Sequence, residues 1–194
     1  MYETVCFGRY LQRETADEPI VWLILERFED RLLLLSRDCL AVERFHFRES
    51  NKPWHHCNLR DWLREIFLSR AFTAEEASRI LPTDIENSAH THCIDPVFIL
   101  SKEEIEQYFP TGRYLPFRER FADASPQADR LLRERGYIHE TLTCSWWVRD
   151  DDRCGAKQTV VNRYGLFCAY RPTDMGTLVR PALWLNTGAA AADC

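Results

Sequence analysis

The residues of this sequence that are best suited to recognition chemistry lie between positions 150 and 174. Tyr and Arg side chains contribute much of the contact energy at protein interfaces, and Asn adapts its hydrogen bonds to different partners. We predict that this segment forms a binding face for a protein or a glycan, and a plain solvated loop surface is the alternative. The residues assigned to the face are Asp150, Asp151, Asp152, Arg153, Lys157, Gln158, Asn162, Tyr164, Tyr170, Arg171 and Asp174.

The run Asp150-Asp151-Asp152 could also supply oxygen ligands to calcium, which prefers carboxylates. Consecutive carboxylates rarely converge on one ion without ligands from elsewhere in the chain. Calcium is therefore a minor alternative for this run.

Two short clusters carry the softer ligands that zinc prefers, and they lie about 35 residues apart. Together they offer enough side chains for a four-ligand site, but their spacing matches no standard zinc module. We therefore expect no cofactor and keep a structural zinc as an alternative. The candidate ligands are His55, His56, Cys57, His90, His92 and Cys93.

Local catalytic signatures are missing from the sequence, which has no G-x-S-x-G, P-loop or G-x-G-x-x-G motif. The 8 cysteines are widely spaced with no C-x-x-C pair, so we interpret them as mostly reduced, buried thiols. A Cys–His dyad forms in space and not in sequence, so an enzyme that depends on cysteine or metal is the second hypothesis. The first hypothesis is a non-catalytic binding module.

Two apolar segments flank the predicted face and should position it. Trp146 and Trp147 are adjacent on a predicted strand and must point to opposite sides, and we expect both to be structural. Arg180 precedes Pro181 in the second apolar segment, where a buried guanidinium favours a carboxylate partner. The prediction for Arg180 is a structural ion pair, and an anion site is the alternative.

Length and composition fit one domain with an ordinary surface: 194 residues, 45% hydrophobic and 28% charged. The net charge is −5 and the basic residues are scattered, which argues against nucleic acid as a partner. The longest apolar run, Ile20 to Leu25, is far shorter than a membrane helix requires. We also find no secretory signal pattern, so the expected location is the cytoplasm and no membrane partner is expected.

The order of predicted elements is strands, then helices, then strands, which indicates an α+β fold. Helix start signals lie at Asn58, at Thr73 with Glu76, at Ser101 with Glu104, and at Ser125-Pro126. Apolar residues recur at helical spacing after the first of these signals and predict one buried face: Leu59, Trp62, Leu63, Ile66 and Phe67. We predict one domain over residues 1–185, with a mixed sheet made by the first and last strands, and a disordered tail over residues 186–194.

Several motifs occur together in a fixed order, from Phe7-Gly8-x-Tyr10 through Trp146-Trp147-Val148-Arg149 to Val179-Arg180-Pro181-Ala182-Leu183-Trp184. In this the chain resembles an uncharacterised bacterial family, a domain of unknown function with W-W-[LV]-R and V-R-P-A-L-W signatures. The resemblance implies a C-type-lectin-like fold, similar to that of the formylglycine-generating enzymes. Some members resemble the variable proteins of diversity-generating retroelements, in which the segment between the signatures is diversified to bind new targets. This chain departs from the family pattern there, with Arg149-Asp150-Asp151-Asp152-Arg153 where relatives tend to have Arg-Ser-Pro-Gly.

Overall fold

The computed structural model describes residues 2–13, 15–49, 52–86, 91–110, 118–137, 141–152 and 156–188. Strands dominate and a few helices come from the middle of the chain, so the predicted α+β class is confirmed. The strands are β1 (Thr4–Arg13), β2 (Ala16–Phe28), β3 (Arg31–Ser36), β4 (Ile80–Leu81), β5 (Thr83–Glu86), β6 (His92–Asp95), β7 (Ser145–Asp151), β8 (Gln158–Val161), β9 (Phe167–Tyr170), β10 (Thr177–Leu178) and β11 (Ala182–Asn186). The predicted tail is partly strand, since β11 ends at Asn186, and residues 189–194 lie outside the described part.

The first and last strands share one five-stranded sheet, in the order β1-β2-β3-β11-β4. The C-terminal strand β11 pairs with β3, with Leu183 opposite Leu34, so the N-terminal strands and the last strand share a sheet as predicted. All strand pairs in this sheet are antiparallel, so the expectation of a mixed sheet here was wrong. Short connections explain the antiparallel pairing of β1, β2 and β3, because a turn such as Glu29–Asp30 returns the chain directly beside the strand it leaves.

The tryptophan pair belongs to a second sheet, ordered β10-β7-β8-β9, and β10 and β7 are the parallel neighbours. Trp146 and Trp147 are both fully buried, and their indole N–H groups donate to Arg120 O at 3.2 Å and Glu43 O at 2.8 Å. The structural role predicted for both side chains is confirmed, since each covers one side of β7 and has its polar atom satisfied. Strands β5 and β6 pair with each other and form a separate two-stranded sheet.

The helices are α1 (Asn58–Trp62), α2 (Leu68–Ala71), α3 (Ala74–Ser78), α4 (Lys102–Tyr108) and α5 (Pro126–Glu134), with a π-helical segment Leu63–Phe67 between α1 and α2. Both predicted capping boxes are present, at Thr73 and at Ser101. Ser125 caps α5 with Pro126 at its first position, also as predicted. None of the helices in the described part of the chain combines the length and the apolar character that crossing a bilayer requires.

The start of α1 differs from the prediction in two details. Cys57, not Asn58, is the N-cap, with its Sγ accepting from Arg60 N at 3.4 Å. Ile66 is 43% exposed, although the α-helical spacing predicted it to be buried. The π segment is the reason, because its wider turn rotates Ile66 away from the core while Leu63 and Phe67 stay buried.

Arg180 joins the two sheets, and the carboxylate partner that we predicted for it is absent among the described residues. Its Nε donates to Ser36 O at 3.0 Å and its Nη2 to Arg37 O at 3.3 Å. The guanidinium carbon lies 5.1 Å from the Trp146 ring centroid, and the residue is 1% exposed. Backbone carbonyls and an aromatic face therefore take the place of a carboxylate, and burial lowers the pKa of the guanidinium.

The described cysteines mostly follow the prediction of reduced thiols. Cys6 is the exception, because it is disulfide-bonded. The free thiols are Cys39, Cys57, Cys93, Cys144 and Cys168, and the first four of them are buried.

Candidate functional site

The predicted recognition segment folds into the β7–β8 and β8–β9 hairpins and the turn that leads to β10. Its polar side chains fall into two groups. The side chains of one group bind the backbone of the hairpins and turns, and those of the other line depressions on the surface. The distinction decides which predicted residues are available to a partner.

The aspartates at the start of the segment belong to the first group. Asp152 Oδ1 accepts from Ala156 N at 2.9 Å and Lys157 N at 3.1 Å, which closes the β7–β8 turn. Asp150 Oδ2 accepts from Lys102 N at 2.5 Å, so this carboxylate holds the start of α4. The carboxylates of Asp150 and Asp152 thus have separate backbone partners, and no cluster of three potential metal ligands occurs among the described residues. Arg153 lies outside the described residues.

Asn162 and Asp174 also serve the backbone. Asn162 Oδ1 accepts from Tyr164 N at 2.9 Å and Leu166 N at 3.0 Å, which shapes the β8–β9 turn. Asp174 Oδ2 accepts from Thr177 Oγ1 at 2.6 Å and Gly176 N at 3.1 Å. These are the local side-chain bonds by which Asn and Asp favour turns.

Gln158 was assigned to the surface, and that assignment was wrong because its side chain is fully buried. The register of β7 and β8 shifts between Trp147 and Asp151, and such an irregularity leaves strand carbonyls without ladder partners. The Gln158 amide donates to two of these carbonyls, Val148 O and Asp150 O. Its role is to satisfy the backbone where the strand bulges.

The second group surrounds two adjacent depressions. One has a volume of about 560 Å³ and is lined by Lys157, Tyr170 and Arg171 among others. The other, of about 400 Å³, includes Arg163 and Tyr164. Both include Tyr137, Tyr170 and Asp174, so they form one surface. We call this surface the tyrosine face and define it as Tyr137, Lys157, Arg163, Tyr164, Tyr170 and Arg171.

One exposed part of the tyrosine face is an arginine–tyrosine pair. Arg163 Nη2 donates to the Tyr164 hydroxyl at 2.8 Å, and its guanidinium carbon lies 4.9 Å from the ring centroid. Tyr164 is 58% exposed, so the pair presents an aromatic ring and a cation together to solvent. Arg171 reaches Glu49 at 3.3 Å, but both side chains are 75% exposed and such a pair is easily exchanged for another partner.

Tyr137 and Arg163 were missed from the sequence. Tyr137 follows Gly136, which ends α5 with a φ of 84°, and its ring packs so closely on Gly176 that a Cβ there would lie 2.5 Å from a ring carbon. The contact joins positions 39 residues apart, so no local signal could reveal it. Arg163 had a signal, because it lies inside the predicted segment beside Tyr164.

The two clusters of potential zinc ligands are not assembled within the described residues. The rings of His55 and His56 lie 4.1 Å apart, next to Cys57, which is fully buried at the start of α1. In the second cluster His92 is exposed and lies 3.1 Å from Asp84, and Cys93 is buried in β6. His90 lies outside the described residues.

The Cys57 thiol is poorly suited to act as a nucleophile. Burial raises its pKa to about 12, so the thiolate is scarce at neutral pH. Its sulfur already serves as the helix cap described above. Burial likewise raises the pKa of the Cys93 thiol.

Neither a curated protein nor a solved structure matches the chain. A family model described as a domain of unknown function, DUF6273, matches residues 29–187. That span is most of the chain and runs from the β2–β3 turn to the end of β11, so the protein belongs to the DUF6273 family.

Proposed function

We propose that this protein is a non-catalytic binding module and that the tyrosine face recognises an acidic segment of a protein partner. The observation that carries the proposal is the grouping of the exposed Tyr164, two half-buried tyrosines and cationic side chains around two joined depressions. Tyr and Arg are the residues that most often dominate binding energy at protein interfaces. Asp152, Asn162 and Asp174 hold the turns that carry these side chains.

Charge supports an acidic partner. Lys157, Arg163 and Arg171 carry positive charge at this face, although the whole chain has a net charge of −5. The nearby carboxylates of Asp152 and Asp174 are engaged by backbone and hydroxyl donors within their own turns. A partner with Asp or Glu side chains would be attracted to the cations and exclude water over the rings.

The proposal also includes the fold class. We infer a C-type-lectin-like arrangement, related to the formylglycine-generating-enzyme fold and to retroelement variable proteins. The pairing of β11 with β3 supports it, since such a scaffold ties its two ends together and displays the segment between them. An experimental structure whose strand order matched a different fold class would contradict this part.

The first prediction tests the face with a selection experiment. A phage-displayed library of random peptides is selected on the wild-type protein, and the affinity of enriched peptides is measured by calorimetry. We expect acidic peptides with aromatic residues, and at least about 30-fold weaker binding by the variant Arg163→Ala/Tyr164→Ala/Tyr170→Ala, which removes the main contacts.

A matched control replaces another exposed pair, Arg31 and Phe28 on the five-stranded sheet, where the guanidinium carbon also lies 4.9 Å from the ring centroid. Neither residue lines the two depressions, so Phe28→Ala/Arg31→Ala should bind the peptides as the wild type does. Peptides that bind the triple variant equally well would contradict the proposal. A glycan array is probed in parallel with the wild type and the triple variant. If glycans alone bind the wild type and the triple variant loses that binding, the partner of this face is a glycan and not a protein.

A further inference from the structure

Another cavity, of about 480 Å³, shares no lining residue with the two depressions of the tyrosine face. It is bounded by the end of β1 and the start of β2, by residues 40–43, by α2 and by α5. Its volume falls in the range of sites for small organic molecules. No residue of this cavity belongs to the recognition segment, so the proposed function does not explain it.

The lining of the cavity includes two hydrogen-bond acceptors that lack an ion pair or a hydrogen-bond donor among the described residues. The carboxylate of Glu43 has no ion pair within the described part of the chain, and burial raises its pKa against the opposing effect of Arg135 and Arg44. Gln127 Oε1 is buried and accepts no hydrogen bond from the described residues. An ammonium group is the ligand chemistry that would satisfy a carboxylate and an amide oxygen together.

The cavity also carries two guanidinium groups. Arg135 follows the end of α5 and donates one hydrogen bond through Nη1, to Val42 O at 3.3 Å. Arg70 comes from α2, and neither arginine has a carboxylate at ion-pair distance among the residues described. Guanidinium groups bind carboxylates through paired N–H donors, so this set suits a carboxylate.

Other charged residues of α5 behave differently. Arg133 reaches Asp129 at 2.7 Å and Arg130 reaches Glu134 at 3.0 Å, along the surface of the helix. Arg135 and Gln127 have no such partner on the helix and line the cavity instead. The polar groups of the cavity are therefore distinct from the ordinary charge pairs of the helix surface.

The Tyr10 side chain lines the same cavity, and charged residues of the lining affect the pKa of its hydroxyl. Its ring is fixed against Phe67 at 5.1 Å, and burial raises the pKa of its hydroxyl. The charge of Arg70 opposes that shift, whereas the carboxylates of Glu43 and Asp17, which also lines the cavity, add to it. The remaining wall is apolar and comes from Leu11, Leu40 and Leu131 among others.

We propose that this cavity binds a small zwitterion with an apolar side chain, that is, a free amino acid of the leucine type. Glu43 and Gln127 receive its ammonium group, and Arg70 and Arg135 receive its carboxylate. The leucine side chains of the wall cover its apolar part. A ligand with only one of the two charges would leave the opposite group of the cavity desolvated and unpaired, which is costly.

The test is calorimetry on the full chain with L-leucine, L-methionine and L-phenylalanine, and with two truncated probes. Isopentylamine lacks the carboxylate of leucine, and 4-methylpentanoate lacks its ammonium group. We expect at least one of the amino acids to bind, and the truncated probes of leucine to bind about ten-fold or more weakly than leucine itself if leucine is the ligand. Absence of binding by all three amino acids, or equal binding of leucine and both truncated probes, would overturn the proposal.

Variants assign the two ends of the ligand. Glu43→Gln and Arg135→Met should each weaken binding of the amino acid by about ten-fold or more. The matched controls Glu134→Gln and Arg133→Met change the same residue types on α5 outside the cavity and should leave affinity unchanged. Circular dichroism of each variant verifies its fold. A folded Glu43→Gln protein that binds with wild-type affinity would overturn the assignment of the ammonium site.

Discussion

At the scale of single residues, the side chains between positions 150 and 174 divide by the direction in which they face. Asp152 and Asn162 bind the backbone of their own turns, and Gln158 fills the bulge between β7 and β8. Tyr164 and Arg171 point to solvent from the same short segment. Polar type alone did not separate these roles, because a turn and a binding face use the same residue types.

Glu43 gives a residue-scale prediction about pH. Burial raises the pKa of its carboxyl, so the folded state binds this proton more tightly than the unfolded state does. The contribution of Glu43 to the free energy of unfolding is therefore fully present below the pKa of the unfolded state, about 4.3. It is lost as the pH rises through the higher pKa of the folded state. The positive charges of Arg135 and Arg44 lower the pKa of Glu43 and so reduce this loss. Tyr10, whose pKa is raised in part by Glu43, is another titratable group that lines the same cavity.

We therefore expect Glu43→Gln to be more stable than the wild type near neutral pH, with the difference shrinking towards about pH 4. Urea unfolding of both proteins at the two pH values measures it. The exposed Glu49→Gln serves as the control, with a change within about 0.5 kcal/mol. A Glu43→Gln protein that is less stable at neutral pH would show that the carboxylate is well compensated in the fold.

At the scale of elements, a helix is held by its own caps and by what its ends contact. The first turn of α4 shows both, since Ser101 and Glu104 form a capping box and Glu104 also lies 3.2 Å from Arg149 on β7. Asp150 accepts the first helical N–H of α4, at Lys102. The capping box of α3, at Thr73, is exposed and has no comparable link to a sheet.

This difference predicts unequal costs for two similar substitutions. We expect Ser101→Ala to lower the free energy of unfolding by about 1–2 kcal/mol and Thr73→Ala by about 0.5–1 kcal/mol. The reason is that loss of the Ser101 cap also loosens the Glu104 carboxylate that binds Arg149. Urea denaturation measures both values, and a larger cost for Thr73→Ala would refute the link between α4 and β7.

At the scale of the whole molecule, the two sheets share one core. Residues 179–181 pass from β10 in the second sheet to β11 in the first, and Arg180 binds carbonyls of residues 36 and 37 while its guanidinium lies against Trp146. The buried apolar residues of both sheets form one continuous cluster. Such a core should unfold as a unit.

Leu183 in β11 tests this unity because it is fully buried in the five-stranded sheet opposite Leu34. We expect Leu183→Ala to lower the free energy of unfolding by about 2–5 kcal/mol by leaving a cavity. Circular dichroism and tryptophan fluorescence should still report one coincident transition, since Trp22 and Trp146 lie in different sheets. Leu142→Ala, at a position that is 50% exposed, is the control with little effect. Two separate transitions would mean that the sheets are independent.

The sequence by itself determined the local features: the capping boxes, the order of strands and helices, and the burial of both tryptophans. These depend on residues a few positions apart, on alternation along a strand and on the apolar character of short runs. It also indicated that the chain ends share a sheet, because both are apolar and strand-like.

Only the tertiary structure decided which polar groups meet. Arg180 donates to a carbonyl 144 residues away. The cavity that we propose as an amino-acid site gathers Tyr10, Glu43 and Arg135 from distant parts of the chain. The outward turn of Ile66 in the π segment was likewise decided by the folded backbone. The physical reason is that a buried polar group must find a partner wherever the packed backbone offers one, and sequence distance carries no information about that choice.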